Sequence, residues 1–159
     1  MVWRSETDFK DRLFSSLVYG VPLVSSIPFG VFLFQQFPQV KTIYFLLLSP
    51  FQVVYQIPFG QLAIFFVLFL AVVRNEKIPY FIRFNTMQAL LIDIVLTLFS
   101  LIFSIIPQAA GLNLIIETIL NMIFLAVFAS CLYSIVSSAL GKYAEIPTIS
   151  QVVYNQIRY

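Results

Sequence analysis

The sequence predicts an all-α, polytopic membrane protein with four transmembrane helices and short interfacial helices beside them. Three observations predict it. First, the 159-residue chain is 60% hydrophobic and only 10% charged, with a mean hydropathy of +0.95. Soluble domains carry roughly 45–50% apolar and about 25% charged residues, and sixteen charges cannot cover the surface of a soluble protein of this size. Second, the charges are clustered, and the stretches between clusters are long enough for helices that cross the hydrocarbon core, which takes about 20 apolar residues. Third, the basic residues fall almost wholly on alternate connections between those stretches, which excludes an odd number of crossings. By the usual size prior the chain forms one membrane domain over residues 1–159. A soluble enzyme is excluded.

Residues Met1 to Arg12 mix Arg4, Lys10 and Arg12 with Glu6, Asp8 and Asp11. That is neither the basic start of a secretory signal nor the acid-poor composition of a transit peptide. Between Arg12 and Lys41 lie 28 uncharged residues, read as a first helix over about 13–34. Pro22 and Pro28, with Gly20 and Gly30, kink it. Such breaks are tolerated in lipid where neighbouring protein re-satisfies the freed backbone groups, so this helix is expected inside the bundle. Between Lys41 and Arg74 lie 32 uncharged residues. Ser49-Pro50 reads as a capping residue followed by proline at the first helical position. The second helix is therefore expected over 50–73, bent near Pro58 and Gly60, with residues 38–48 at the interface.

The third helix is expected over 79–106 and the fourth over 114–138, with Gly141 as its stop. A C-terminal amphipathic segment, 147–158, follows. It sets Ile149, Val152, Val153 and Ile157 opposite Ser150, Gln151, Asn155 and Arg158. This is the pattern of a helix in the headgroup plane, or of a plain surface tail. With four crossings, Arg4, Lys10, Arg12, Arg74, Lys77, Arg83, Lys142 and Arg158 share one side against Lys41 alone. The excess puts both termini on the cytoplasmic side or its organellar equivalent.

Polar residues inside the spans are candidates for function. Thr86, Ala89, Asp93, Thr97, Ser100 and Ser104 form a stripe along one face of the third helix. A bare carboxylate in lipid costs about 2.5–3.5 kcal/mol on insertion scales, so Asp93 is protonated, paired or facing water. It either lines a hydrated path or bonds a neighbouring helix. Ala126, Ser130, Ser134 and Ser138 recur every fourth residue on the fourth helix, which lets backbones approach closely. Glu117 and Asn121 sit one turn apart near the opposite membrane face.

The absences are equally informative. There is no histidine, one cysteine (Cys131), and five scattered glycines, which leaves no His-based triad, no cysteine metal cluster and no phosphate loop. No cofactor is expected. The net charge of +2 gives no reason to invoke nucleic acid.

One segment carries a resemblance. It runs Val72-Val73-Arg74-Asn75, then Phe81-Ile82-Arg83-Phe84-Asn85-Thr86-Met87-Gln88-Ala89, then Asp93-Ile94. Trp3-Arg4, Asp11-Arg12, Phe37-Pro38, Gly141-Lys142 and Ile146-Pro147 continue it along the chain. The pattern resembles the twenty-kilodalton subunit family of the Tic translocon, the protein-import machine of the chloroplast inner envelope, and its cyanobacterial relatives. The resemblance implies four helices with both termini in the stroma. It also implies a channel-forming complex whose partners are other translocon subunits and unfolded preproteins. Plant members carry a cleavable transit peptide, which is not seen here, so a plastid-encoded or cyanobacterial member is expected. Arg74, Lys77 and Arg83 are expected at the inner headgroup level, where they can anchor on anionic lipid. Asn75 belongs to the same block. Asn85 and Gln88 either satisfy groups on adjacent helices or face a preprotein. Two other functions stay open, a homo-oligomeric small-solute or ion transporter with Asp93 as coupling residue, and a membrane scaffold.

Overall fold

The computed structural model describes residues 7–106 and 113–157. Met1, Trp3-Arg4, Glu6 and Arg158, named above, lie outside the described residues. Every regular element among those described is helical.

The first apolar stretch folds as three short helices joined by breaks: α1 (Phe9–Leu17), α2 (Gly20–Ser25) and, after a 3₁₀ turn at Ile27–Gly30, α3 (Val31–Gln36). The Asp8 side chain caps α1 by accepting the Phe9 N–H at 2.8 Å. Pro22 has no N–H to return to the Val18 carbonyl, which accepts the Val21 N–H instead at 3.2 Å. At the second break the Leu23 carbonyl accepts the Ser26 hydroxyl at 2.6 Å and the Tyr44 hydroxyl at 2.8 Å. Local side chains and a neighbouring helix thus satisfy the freed groups, as a broken helix in lipid requires.

Helix α4 (Pro38–Tyr55) corrects the second expectation. Residues 38–48 are not a separate interfacial piece, and Pro50 starts no helix, because it lies inside an 18-residue one. Pro38 takes the first helical position instead. Pro50 leaves the Leu46 carbonyl without its helical donor, and the Ser49 hydroxyl supplies one at 2.9 Å. Ser49-Pro50 therefore mends a helix interior with the same chemistry that would cap a helix start.

The chain then turns by 92° before α5 (Gly60–Val67), which widens into a π-helical turn at Leu68–Val73. Phe59 adopts a left-handed backbone, φ +62°. A Cβ on Gly60 would lie 1.9 Å from the Val54 carbonyl oxygen, so only glycine permits the corner. Helix α6 (Tyr80–Ile105) and helix α7 (Asn113–Ala139) follow. Gly141, at φ +72°, stops α7. Its N–H reaches the Ser138 carbonyl at 2.9 Å while the Lys142 N–H reaches the Ser137 carbonyl at 2.8 Å, the paired bonds of a Schellman cap. Last comes α8 (Ile149–Gln156).

Helices α6 and α7 are each long and apolar enough to cross a membrane. The pairs Phe9–Ser25 with Ile27–Gln36, bent by 58°, and Pro38–Tyr55 with Gly60–Val73 meet the same requirement only when joined. The molecule is a polytopic membrane protein. Helices α1 and α2 wedge between α6 and α7, which touch each other only lightly. The π turn and α8 pack on the other side of α6. One apolar core joins Phe29, Phe34, Tyr44, Phe124 and Cys131. A second joins Val73, Phe84, Leu90, Val153 and Ile157. Leu46, Leu47, Ile105 and Leu114 stand outward, which suits contact with acyl chains.

Candidate functional site

Asn85 and Gln88 are neighbours one turn apart on the inward face of α6, and both are fully buried. Asn85 Oδ1 accepts the Tyr19 hydroxyl and the Ser138 hydroxyl, each at 2.9 Å, and its Nδ2 donates to the Phe81 carbonyl at 2.9 Å. Gln88 Nε2 donates to the Tyr19 hydroxyl oxygen at 3.1 Å and to the Ala144 carbonyl at 3.0 Å. Its Oε1 accepts the Ser150 hydroxyl at 2.9 Å, and Ser150 Oγ in turn accepts the Ile146 N–H at 2.7 Å. Two amides thereby fasten the α1–α2 junction, α6, the end of α7 and the segment after it into one polar hub. A fully satisfied buried network of this kind fixes a single packing arrangement.

The hub revises three expectations. Ser150 belongs to the inward side of α8, not to its polar outer face. The α7 stripe is buried only at Ser134 and Ser138, and Ser138 hydrogen-bonds Asn85 rather than merely leaving room for a backbone. Tyr19 was missed altogether, although a phenol inside an apolar span needs a partner for its hydroxyl, and that signal would have found it.

Arg83 also departs from its expected place. It is 7% exposed, and its Nε donates to the Val73 carbonyl at 2.8 Å. It therefore closes the end of the π turn, with its side chain packed on protein rather than exposed. Arg74 and Lys77 are exposed, and Asn75 Oδ1 accepts the Lys77 N–H at 3.1 Å in the tight turn between α5 and α6. Replacing Arg83 by leucine orphans the Val73 carbonyl, and a loss of about 2 kcal/mol is expected. Arg74→Ala should stay within about 0.5 kcal/mol. Thermal unfolding of the two variants in one detergent checks the contrast.

Asp93 lies near the middle of α6, about 20 Å from Tyr80 and about 18 Å from Ile105 at the helical rise. It is 3% exposed. Ser25 Oγ donates to Asp93 Oδ1 and stands 3.2 Å from the Tyr55 hydroxyl. Gln61 Nε2 reaches Ser25 Oγ at 3.4 Å and Thr97 Oγ1 at 3.3 Å. This second cluster forms where the 92° corner brings Tyr55 and Gln61 against α6. Asp93, Gln61, Thr97 and Tyr55 line a cleft of about 540 Å³ between α5 and α6. Only the inner half of the α6 stripe is buried, through Thr86, Ala89 and Asp93, whereas Thr97, Ser100 and Ser104 are exposed. Glu117 is half-buried on α7, remote in sequence from both clusters. Among the described residues no three metal-ligating acids or thiols converge.

Bent apolar helices joined by buried amides, with a buried carboxylate near the middle of α6, define a polytopic helical membrane protein. A family model described as the chloroplast import apparatus, Tic20-like, matches residues 4–153, and the chain belongs to that family. It is 49% identical over 160 residues to a Tic20 family protein of Synechocystis sp., covering all of both chains. It is 37% identical over 153 residues to the Tic20 family protein Ycf60 of Gracilaria tenuistipitata var. liui, covering 92% of this chain and 75% of that one. It is 29% identical over 154 residues to protein TIC 20-II, chloroplastic, of Arabidopsis thaliana, covering 95% and 74%. The resemblance read along the chain from Trp3 to Pro147 thus agrees with a family match over residues 4–153.

Proposed function

We propose that this chain is a membrane subunit of a protein-translocating assembly, resident in a plastid inner envelope or a cyanobacterial membrane, and not an enzyme. Family membership over residues 4–153 carries the reading. The packing supports an obligate assembly rather than a pore made by one copy. Tyr19, Phe84, Asn85 and Gln88 fill the middle of the bundle, and five clefts among the described residues measure about 170–540 Å³. A polypeptide would therefore pass beside this subunit, between it and its partners. Isolation of the tagged chain from its native membrane should recover other membrane subunits together with a precursor arrested in transit. Recovery of a lone monomer would refute the proposal.

Each bent pair is read as one span, making four, with Lys41 on the far side and both termini together. Single cysteines at Lys10, Lys41 and Gln151 in a Cys131→Ser background test it. A membrane-impermeant thiol reagent should label Lys10→Cys and Gln151→Cys from one side and Lys41→Cys from the other.

The buried carboxylate at mid-span favours one competing function, ion or solute transport coupled to Asp93. Proton- or ion-dependent flux in vesicles holding only this protein would support that alternative.

A further inference from the structure

We infer that the cleft between α5 and α6 receives a transmembrane helix of a different protein, one that brings a lysine or arginine to Asp93 at mid-depth. This deepens the proposed assembly by naming where a partner sits, and its test reads pairing rather than transport, so the two can fail separately.

Three observations carry it. The cleft joins polar and apolar walls: Asp93, Gln61 and Thr97 lie beside Phe59, Leu62 and Leu98, and the last three are outward-facing, Phe59 at 83% exposed. A helix approaching from the lipid would meet aliphatic and aromatic side chains at its flanks and hydrogen-bonding groups at its centre, the mixture that joins helices in lipid. Among the described residues the carboxylate has no cation beside it: no lysine or arginine lines the cleft, and in sequence the nearest basic residue before Asp93 is Arg83, already bonded to the Val73 carbonyl. Ionisable groups inside a membrane pair with one another or face water, and this one, though only 3% exposed, lines the cleft beside α5. Finally, a second copy would not supply the charge at mid-depth, because every lysine and arginine in its helices lies within the first four residues of one: Lys10 and Arg12 in α1, Lys41 in α4 and Arg83 in α6.

Phe59 and Leu98 are replaced in turn by a photoreactive amino acid in the full-length protein, in its native membrane, with Leu132 on α7 as control. The cleft positions should each give an adduct with another membrane protein, mapped by mass to a transmembrane helix carrying Lys or Arg within its span. Asp93→Asn keeps the shape and a hydrogen-bonding oxygen for Ser25. It should lower that adduct about tenfold, the loss expected when one charge-assisted bond is removed, while the Leu132 adducts and the amount of protein hold. Exchanging the charges, Asp93→Lys with the partner's cation changed to aspartate, should restore it. Adducts only with lipid, with a second copy or with a precursor in transit would overturn the inference. So would an adduct indifferent to Asp93→Asn.

Discussion

Gln88→Leu should destabilise the protein by about 2–3 kcal/mol and release the segment that follows α7. The two side chains have similar volume, so packing changes little and the effect isolates the polar contacts. Four partners lose their bond at once: the Tyr19 hydroxyl, the Ala144 carbonyl, the Ser150 hydroxyl and, at 3.5 Å, the Ser134 hydroxyl. Single interhelical bonds in membranes average only about 0.6 kcal/mol, which alone would predict roughly 2 kcal/mol. The upper figure arises because Ala144 and Ser150 are buried, and a buried polar group left without a partner costs more than an exposed one. Ser150→Ala removes the bonds to Gln88 and to the Ile146 N–H but leaves Gln88 bonded to Tyr19 and Ala144, and it should lose less, about 1 kcal/mol. Thermal unfolding in detergent ranks the two. Limited proteolysis should cut Gln88→Leu between Lys142 and Thr148 well below its unfolding temperature. Equal stability of Gln88→Leu and wild type would mean that the hub does not hold the bundle.

Gly60→Ala should be the most damaging small substitution, with an expected loss of about 3 kcal/mol or more. The added methyl would sit 1.9 Å from the Val54 carbonyl oxygen. That obstacle is backbone, which cannot rotate aside, so the corner itself must open. By contrast, a methyl on Gly20 meets only the ring of Phe51 at 2.6–2.9 Å, and a ring on α4 can shift. Gly20→Ala should therefore cost the lesser amount, about 1–2 kcal/mol. Opening the corner pulls Gln61 from Ser25 and Thr97, so Gly60→Ala should also lose cleft adducts, whereas Gly20→Ala should keep them.

The all-helical class and the two long helices were legible because hydropathy alone specifies an element that must satisfy its own backbone in lipid. Expected bounds of 79–106 and 114–138 compare with Tyr80–Ile105 and Asn113–Ala139. The region before α5 was not legible at Ser49-Pro50, since a hydroxyl beside a proline serves equally to start a helix or to mend one. Asn85, Gln88 and Asp93 stood out as polar groups in apolar surroundings, yet what they touch depends on contacts 46 to 69 residues away in sequence. Arg83 misled for a related reason. Its charge suggested water or headgroups, but the π turn ends on a carbonyl that only a long cation from the next helix can reach.

The position of Ala144 and Ser150 has a consequence for biogenesis. Both leave the ribosome only after α7, so the nascent bundle holds the Gln88 Oε1 unanswered while every spanning helix is already made. Final closure must then wait for release of the segment past Lys142, and a chain arrested just after α7 would be an open, degradable intermediate.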